Sequence, residues 1–248
     1  MAKTVIIIPS RLSAKRLPSK PLLEINNIPM IVHVYKRALE ANVGEVYVAT
    51  PDKAISDVIK NISGKTIHTN KNHKTGSDRV FEAYKKIHNE NNKIDLIINL
   101  QGDMPNIDPK NILTLNNLMK KHQTKIGTLA SKIIDKQDYK DKNIVKVETE
   151  KVLDYKNFIE SKNFFRTSDI NKDLNIYHHI GIYCYSLSAL EKFINFNQTE
   201  NELKNRLEQL RAIDNNIKLD VALAKSSPIG VDTHEDYIAL KKIMEYKS

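Results

Sequence analysis

The residues best suited to chemistry lie on short loops at the ends of apolar runs. In "TVIIIPSRLSAKRLPSKPLLEI" (residues 4–25), the apolar run 5–8 ends at Pro9, and Arg11, Lys15, Arg16 and Lys20 follow with no carboxylate among them. Arginine as a planar fork and lysine as a point charge are the side chains that hold a polyphosphate. Pro9, Pro18 and Pro21 stiffen the loop, and preorganisation is what an anion site needs. The plain alternative is a basic surface turn. Backbone cradles for phosphate are missing. "SGKT" (63–66) ends like a P-loop but has Ile59 where the first glycine belongs, and no G-x-G-x-x-G occurs.

Two carboxylates stand on other loops of the same kind. "LIINLQGDMP" (96–105) is an apolar run that opens into Gln101, Gly102 and Asp103, and "PIGVDTHEDY" (228–237) places Asp232 just before a helix start. Mg²⁺ usually takes one or two protein carboxylates and completes its shell with phosphate oxygens and water. Either Asp could equally be a turn residue or part of a cap, with Thr233 and Asp236 spaced as a capping box. In "HKTGSDRV" (73–80), Ser77 and Arg79 sit at an anion-friendly helix start. In "YHHIGIYCYS" (177–186), strand alternation puts Ile180, Ile182 and Cys184 on one face and His179, Gly181, Tyr183 and Tyr185 on the other. The second face is polar and aromatic, suited to a sugar or an acid. His178 and His179 cannot share one metal on an extended strand, which argues against zinc. "ENELKNRLEQLRAI" (200–213) reads as one amphipathic helix with Leu203, Leu207, Leu210 and Ile213 buried and Glu208, Gln209 and Arg211 on its flanks.

The elements that must hold these loops are strands over 4–8, 45–49, 94–100, 126–131, 144–148, 179–185 and 219–222. Helices are expected over 30–41, 52–62, 78–88, 108–121, 187–193, 200–213 and 233–246. Strand and helix in alternation predict an α/β fold with a mostly parallel central sheet, which binds ligands at the carboxyl ends of its strands. The chain reads as a single domain, 1–248, with an insertion or subdomain over roughly 134–186 that interrupts the alternation.

The net charge of +9 over 248 residues raises a nucleic-acid reading. Most lysines, however, are interleaved with Asn, Asp and Glu, as in "KDKNIVKVETEK", and tryptophan is absent, so no nucleic-acid partner is expected. No apolar run reaches a membrane span and no signal peptide opens the chain, which predicts a cytoplasmic protein. A lone Cys184 excludes an internal disulfide.

Taken together and in order, these stretches resemble the 3-deoxy-D-manno-octulosonate (Kdo) cytidylyltransferase, or CMP-Kdo synthetase, family of Gram-negative envelope synthesis. The family pattern runs IPAR-x-x-S-x-RLP-x-KPL, H-x-x-GTDR, NVQGDEP, NxVKVV, FSRSPIP, HxGIYxY, LEQLR, VDTPEDL. The chain has "IPSRLSAKRLPSKPL", "HKTGSDR", "NLQGDMP", "NIVKV", "FFRTS", "HIGIYCY", "LEQLR" and "VDTHEDY". The resemblance implies a homodimeric, Rossmann-like nucleotidyltransferase with a smaller dimerisation and sugar-binding insertion, joining CTP to the sugar acid for lipopolysaccharide biosynthesis with Mg²⁺. By motif, Arg11, Arg16 and Lys20 would bind the CTP phosphates, with Ser77, Arg79 and Gln101 near the nucleotide. Asp103 and Asp232 would hold Mg²⁺; Arg166, His179, Tyr183, Glu208 and Gln209 would hold the sugar acid. The catalytic set would be Arg11, Arg16, Lys20 and Asp103. The chain departs from the pattern at Lys15, Met104, Ser168, Asn205 and His234. Met104 predicts a less anionic metal site. The rival readings are a cytidylyltransferase for another acidic sugar, such as a sialic acid or an amino-substituted octulosonate, and a basic nucleic-acid-binding protein.

Overall fold

A computed structural model describes residues 2–13, 16–88, 93–166 and 175–246. In chain order its strands and helices are β1 (Thr4–Pro9), β2 (Glu24–Ile25), β3 (Ile28–Pro29), α1 (Met30–Glu40), β4 (Glu45–Thr50), α2 (Lys53–Lys60), β5 (Thr66–His68), α3 (Gly76–Ile87) and β6 (Leu96–Leu100). There follow α4 (Pro109–His122), β7 (Ile126–Ser131), β8 (Lys146–Thr149), β9 (Ile159–Phe165), β10 (Asn175–Ser186), α5 (Leu187–Asn195), α6 (Glu200–Asn205), α7 (Leu210–Asp214), β11 (Leu219–Leu223) and α8 (His234–Glu245). The chain divides into two compact units, 1–113 with 228–248, and 114–227. The second unit contains the whole of the expected insertion, 134–186, and extends well beyond it on both sides.

In the first unit the main sheet runs β5-β4-β1-β6, all parallel, and β2 and β3 form a separate antiparallel pair. β1 and β6 are buried along their full length, as their Ile-rich sequences require of strands covered on both faces. From β1 the chain builds outward to β4 and β5, then returns to add β6 on the other side of β1. The order therefore reverses between β1 and β6, and loops leaving the carboxyl ends of such a strand pair diverge to open a crevice. The loop carrying Arg11, Arg16 and Lys20 leaves β1; the loop carrying Gln101 and Asp103 leaves β6.

The second unit pairs β10-β7-β11-β9-β8, and β8 pairs with β10 in turn, so each of the five strands has two neighbours and the ladder closes on itself. Only β7–β11 is parallel. The parallel sheet expected of this chain is thus the property of the first unit. The expected helix over 200–213 is two helices, because Arg206 takes a left-handed conformation (φ 54°) after α6. Leu203 is consequently 58% exposed, while Leu207 and Leu210 are buried.

Candidate active site

The loop after β1 is pinned at several points. The Leu12 N–H donates to Asp52 Oδ2 at 2.8 Å. Leu17 is buried in an apolar cluster with Ile25, Met30, Val231, Tyr237 and Leu240, which joins the loop to the start of α8. Ser19 adopts φ 55° and leads into a short 3₁₀ turn, Lys20–Leu22. Burying Leu17 therefore sets Arg16 and Lys20 beside the segment that carries Asp232. Lys15 lies outside the described residues.

Lys20 is the hub. Its Nζ donates to Val231 O at 2.7 Å, to Asp103 Oδ2 at 3.1 Å and to Asp232 Oδ1 at 3.3 Å. Burial works to lower its pKa, but Asp103 and Asp232 outweigh burial, and the ammonium is held above its ordinary value. Arg16 bonds Asp232 Oδ2 at 3.0 Å from an exposed position. The Asp232 carboxylate is not the helix cap. Thr233 Oγ1 accepts from the Asp236 N–H, and Asp236 Oδ2 accepts from the N–H groups of Thr233 and Asp232. The Val231 N–H donates to Asp103 O at 3.0 Å, tying the two carboxylate loops together.

A cleft of about 250 Å³ opens beside this cluster, lined among others by Ser10, Arg11, Lys20, Arg79, Gln101 and Asp103. Arg79 is buried and donates to Thr69 Oγ1 at 2.6 Å and Asn70 O at 3.0 Å. Burial lowers its pKa and the neighbouring Arg11 cation pushes the same way, against the attraction of Asp52 and Glu82. Two guanidinium groups held close enough to repel favour an anion between them. Ser77 is buried and accepts from Asn99 Nδ2 at 3.3 Å, while Gln101 Nε2 donates to Asn99 Oδ1 at 2.8 Å. Ser77 thus reaches the cleft through Asn99 and Gln101. Asn99, Asp52 and Glu82 were not singled out in the sequence. Glu82 accepts from the Asn70 N–H at 2.8 Å and from Lys86 at 2.7 Å and contacts His73, holding the 70–75 segment, and these partners bring its pKa down to about 2 despite burial. Asp52 had a signal, a carboxylate at the carboxyl end of β4.

Met104 is 4% exposed and belongs to the hydrophobic core. Its burial gives it a packing role beside the expectation of a less anionic metal site. For Mg²⁺ itself the donor set fits. Two carboxylates that reach one ammonium converge on a small region, and hard oxygens completed by phosphate are this cation's usual surroundings. Among the described residues no group of three or more His, Cys, Asp or Glu gathers to hold a metal by itself.

The second unit gathers most of the other candidates. His179, Tyr183 and Tyr185 lie on one face of β10, with ring centroids 5.4 Å and 6.0 Å apart along the row, as alternation predicts. The register of β10 against β7 slips between Ile180 and Tyr183. Thr128 fills the slip. Its Oγ1 lies 2.6 Å from Ile182 O, 3.2 Å from Ile180 O and 3.0 Å from His179 Nε2. One hydroxyl proton serves the shortest of these, so His179 Nε2–H donates to Oγ1. Burial carries the His179 pKa down to about 3, so the ring is neutral. Tyr183 is held well above its ordinary pKa by burial, with Tyr185 and Glu208 adding to the effect, which places Glu208 near it.

Glu208 and Gln209 follow the left-handed Arg206 turn, and Gln209 is buried. Arg211, expected on a flank, is instead 2% exposed and forms a bidentate pair with buried Glu202, at 2.8 Å and 2.6 Å, under the ring of Phe193. Arg166 donates to the backbone carbonyls of Lys142 (3.0 Å), Asn143 (3.4 Å) and Asn205 (3.4 Å). Lys146 Nζ donates to Arg166 O at 2.8 Å. In these contacts Arg166 braces loops. Ser168 lies outside the described residues.

The cytidylyltransferase family model matches residues 5–219. A 3-deoxy-manno-octulosonate cytidylyltransferase of Bartonella tribocorum is 39% identical over 240 residues, 97% of this chain and 98% of that one. Another, of Bartonella bacilliformis, is 37% identical over 242 residues, 98% of each. A solved structure of CMP:2-keto-3-deoxy-manno-octonic acid synthetase complexed with CTP matches 100% of both chains with a TM-score of 0.88 at 32% identity.

Proposed function

Because the chain belongs to the 3-deoxy-manno-octulosonate cytidylyltransferase family, we propose that it couples CTP to Kdo, giving CMP-Kdo and pyrophosphate for lipopolysaccharide biosynthesis. The observation that carries this reading is the convergence of Arg16, Lys20, Asp103 and Asp232 at the point where the strand order reverses. The anomeric hydroxyl of the sugar acid attacks the α-phosphorus in line. The new O–P bond forms as the bond to the β-phosphate oxygen breaks, pyrophosphate leaves, and the hydroxyl proton passes to solvent.

In this reading Arg11, Arg16 and Lys20 meet the triphosphate, and their charge offsets what accumulates on the leaving pyrophosphate. Arg79 and Gln101, with Ser77 behind them, hold the nucleotide. Asp103 and Asp232 would hold Mg²⁺, which supplies charge neutralisation and orients phosphate oxygens when bound. Neutral His179, with Tyr183, Glu208 and Gln209, offers hydrogen bonds to the sugar acid's hydroxyls, and Arg166 supports the loops around them. We take the working protein to be cytoplasmic and homodimeric; light scattering on the purified protein checks its oligomeric state. The reaction is tested by Mg²⁺-dependent pyrophosphate release from each nucleoside triphosphate, with and without Kdo. Release should require CTP and Kdo together. Faster release with a sialic acid or an amino-substituted octulosonate would reassign the acceptor.

A further inference from the structure

Ser10 follows the first strand and carries a buried hydroxyl that nothing described in the protein uses. The residue is 6% exposed, it lines the cleft beside Arg11 and Gln101, and among the described residues its Oγ has no hydrogen-bond partner. Its backbone is fixed, because the Ser10 N–H donates to Ala49 O at 3.0 Å and so extends the β1–β4 ladder by one residue. A buried hydroxyl without a partner is destabilising, and such groups in folded proteins call for an explanation. The family pattern quoted above has alanine here, which would leave no such group behind.

We propose that the Ser10 hydroxyl is a recognition group for the nucleoside half of the bound nucleotide, hydrogen-bonding the base or ribose and not the phosphates. The inference rests on the nucleotide-binding reading of this cleft. The triphosphate has Arg11, Lys20 and Arg79 to meet it, and a neutral hydroxyl competes poorly with cations for phosphate oxygens. The nucleoside carries no charge and offers both donors and acceptors, which a hydroxyl can match in either sense. One stretch of the cleft wall, made by Pro9, Gly76 and Gln101, is neutral as well. A Cβ added at Gly76 would stand 3.5 Å from Gln101 Nε2 and 3.6 Å from Pro9 Cγ, so glycine there leaves space between these groups on the cleft wall. Gln101 spends an N–H on Asn99 and keeps its amide oxygen as an acceptor.

The test is Ser10→Ala, with Ser131→Ala as the control. Ser131 Oγ is the same kind of buried hydroxyl, without a partner among the described residues, at the end of β7 in the other unit. Calorimetric titration of the full-length protein with CTP, with cytidine and with inorganic tripolyphosphate separates the halves of the ligand. Ser10→Ala should weaken CTP and cytidine by roughly three- to tenfold, the range of one neutral hydrogen bond, and leave tripolyphosphate unchanged. The melting temperature of the free variant should hold or rise while the shift produced by CTP shrinks; Ser131→Ala should leave all three affinities unchanged. Unchanged CTP affinity in Ser10→Ala, or an equal loss for tripolyphosphate, overturns the assignment. Wild-type protein that does not bind CTP would remove the nucleotide reading itself, and this proposal with it.

Discussion

Lys20 places one ammonium against two carboxylates, and this sets what each of the three can do in the free protein. With the lysine pKa raised, its charge stays on at every pH below its ordinary value of 10.5, so Asp103 and Asp232 face a compensating cation throughout the neutral range. Replacing Lys20 with Met removes that cation and leaves the carboxylates to repel, so turnover and stability should fall together. Arg16 differs because its pair with Asp232 is exposed, and exposed pairs contribute little to folding. Arg16→Ala should therefore lower CTP turnover at least about tenfold, the size of a lost charged hydrogen bond, with almost no change in melting temperature. Near-normal turnover would return the loop to an ordinary basic turn. At Asp232 the capping role falls away, since Thr233 and Asp236 perform the capping. Asp232→Asn should raise the Mg²⁺ requirement of the reaction and keep α8 intact by circular dichroism. Met104 has a packing role of its own. Because it is buried, Met104→Leu should cost less than about 1.5 kcal/mol, whereas Met104→Glu should destabilise more strongly by burying a carboxylate. Equal melting temperatures for the two variants would put residue 104 at the surface.

Among the elements, those with one dominant signal were legible. The β-branched runs located β1, β4, β6, β7 and β11 to within a residue or two, because a buried strand leaves little freedom in residue type. Alternation gave the faces of β10, and the rings of His179, Tyr183 and Tyr185 do share one. β9 was not legible, since "IESKNFF" mixes exposed polar residues into a strand that is only partly buried. The break at Arg206 was not legible either, because glycine or asparagine usually marks a left-handed residue and arginine does not. The Glu202–Arg211 pair accompanies that break, and removing one partner of a buried pair leaves the other uncompensated. Arg211→Met should cost about 3–5 kcal/mol and raise the KM for the sugar acid more than that for CTP. His179 gives this region a pH signature. Its folded pKa of about 3 lies below the ordinary 6.5, so between those values the unfolded chain binds more protons and stability falls as pH drops. His179→Gln keeps an N–H for Thr128 but cannot titrate, so its melting temperature should vary less between pH 6.5 and 4 than that of the wild type.

On the scale of the whole molecule, the expected chemistry divides between the two units. Arg11, Arg16, Lys20, Ser77, Arg79, Gln101, Asp103 and Asp232 fall in the first, and Arg166, His179, Tyr183, Glu208 and Gln209 in the second. The sequence pointed to both groups through strand-end loops and motif order, but placed the unit boundary near 134, because the polar stretch after β7 is more conspicuous than the middle of α4, where the division falls. The net charge of +9 is likewise a property of the whole chain, and by itself it would predict salt-sensitive affinity for any polyanion. A specific nucleotide site predicts something different: protection that is local and ligand-dependent. Hydrogen exchange with CTP and Mg²⁺ alone should slow amides around 10–12, 75–79, 101–103 and 231–232, because ligand binding stabilises the segments that must open for exchange. The second unit should respond to the acceptor. Adding Kdo to a complex with a non-hydrolysable CTP analogue should extend protection to 179–183 and 206–210, where β10 and the Arg206 turn carry the candidate sugar contacts. If CTP alone protects those second-unit segments as strongly as the first-unit loops, the nucleotide and not the sugar acid occupies that face, and the assignment of His179, Tyr183 and Glu208 to the acceptor fails.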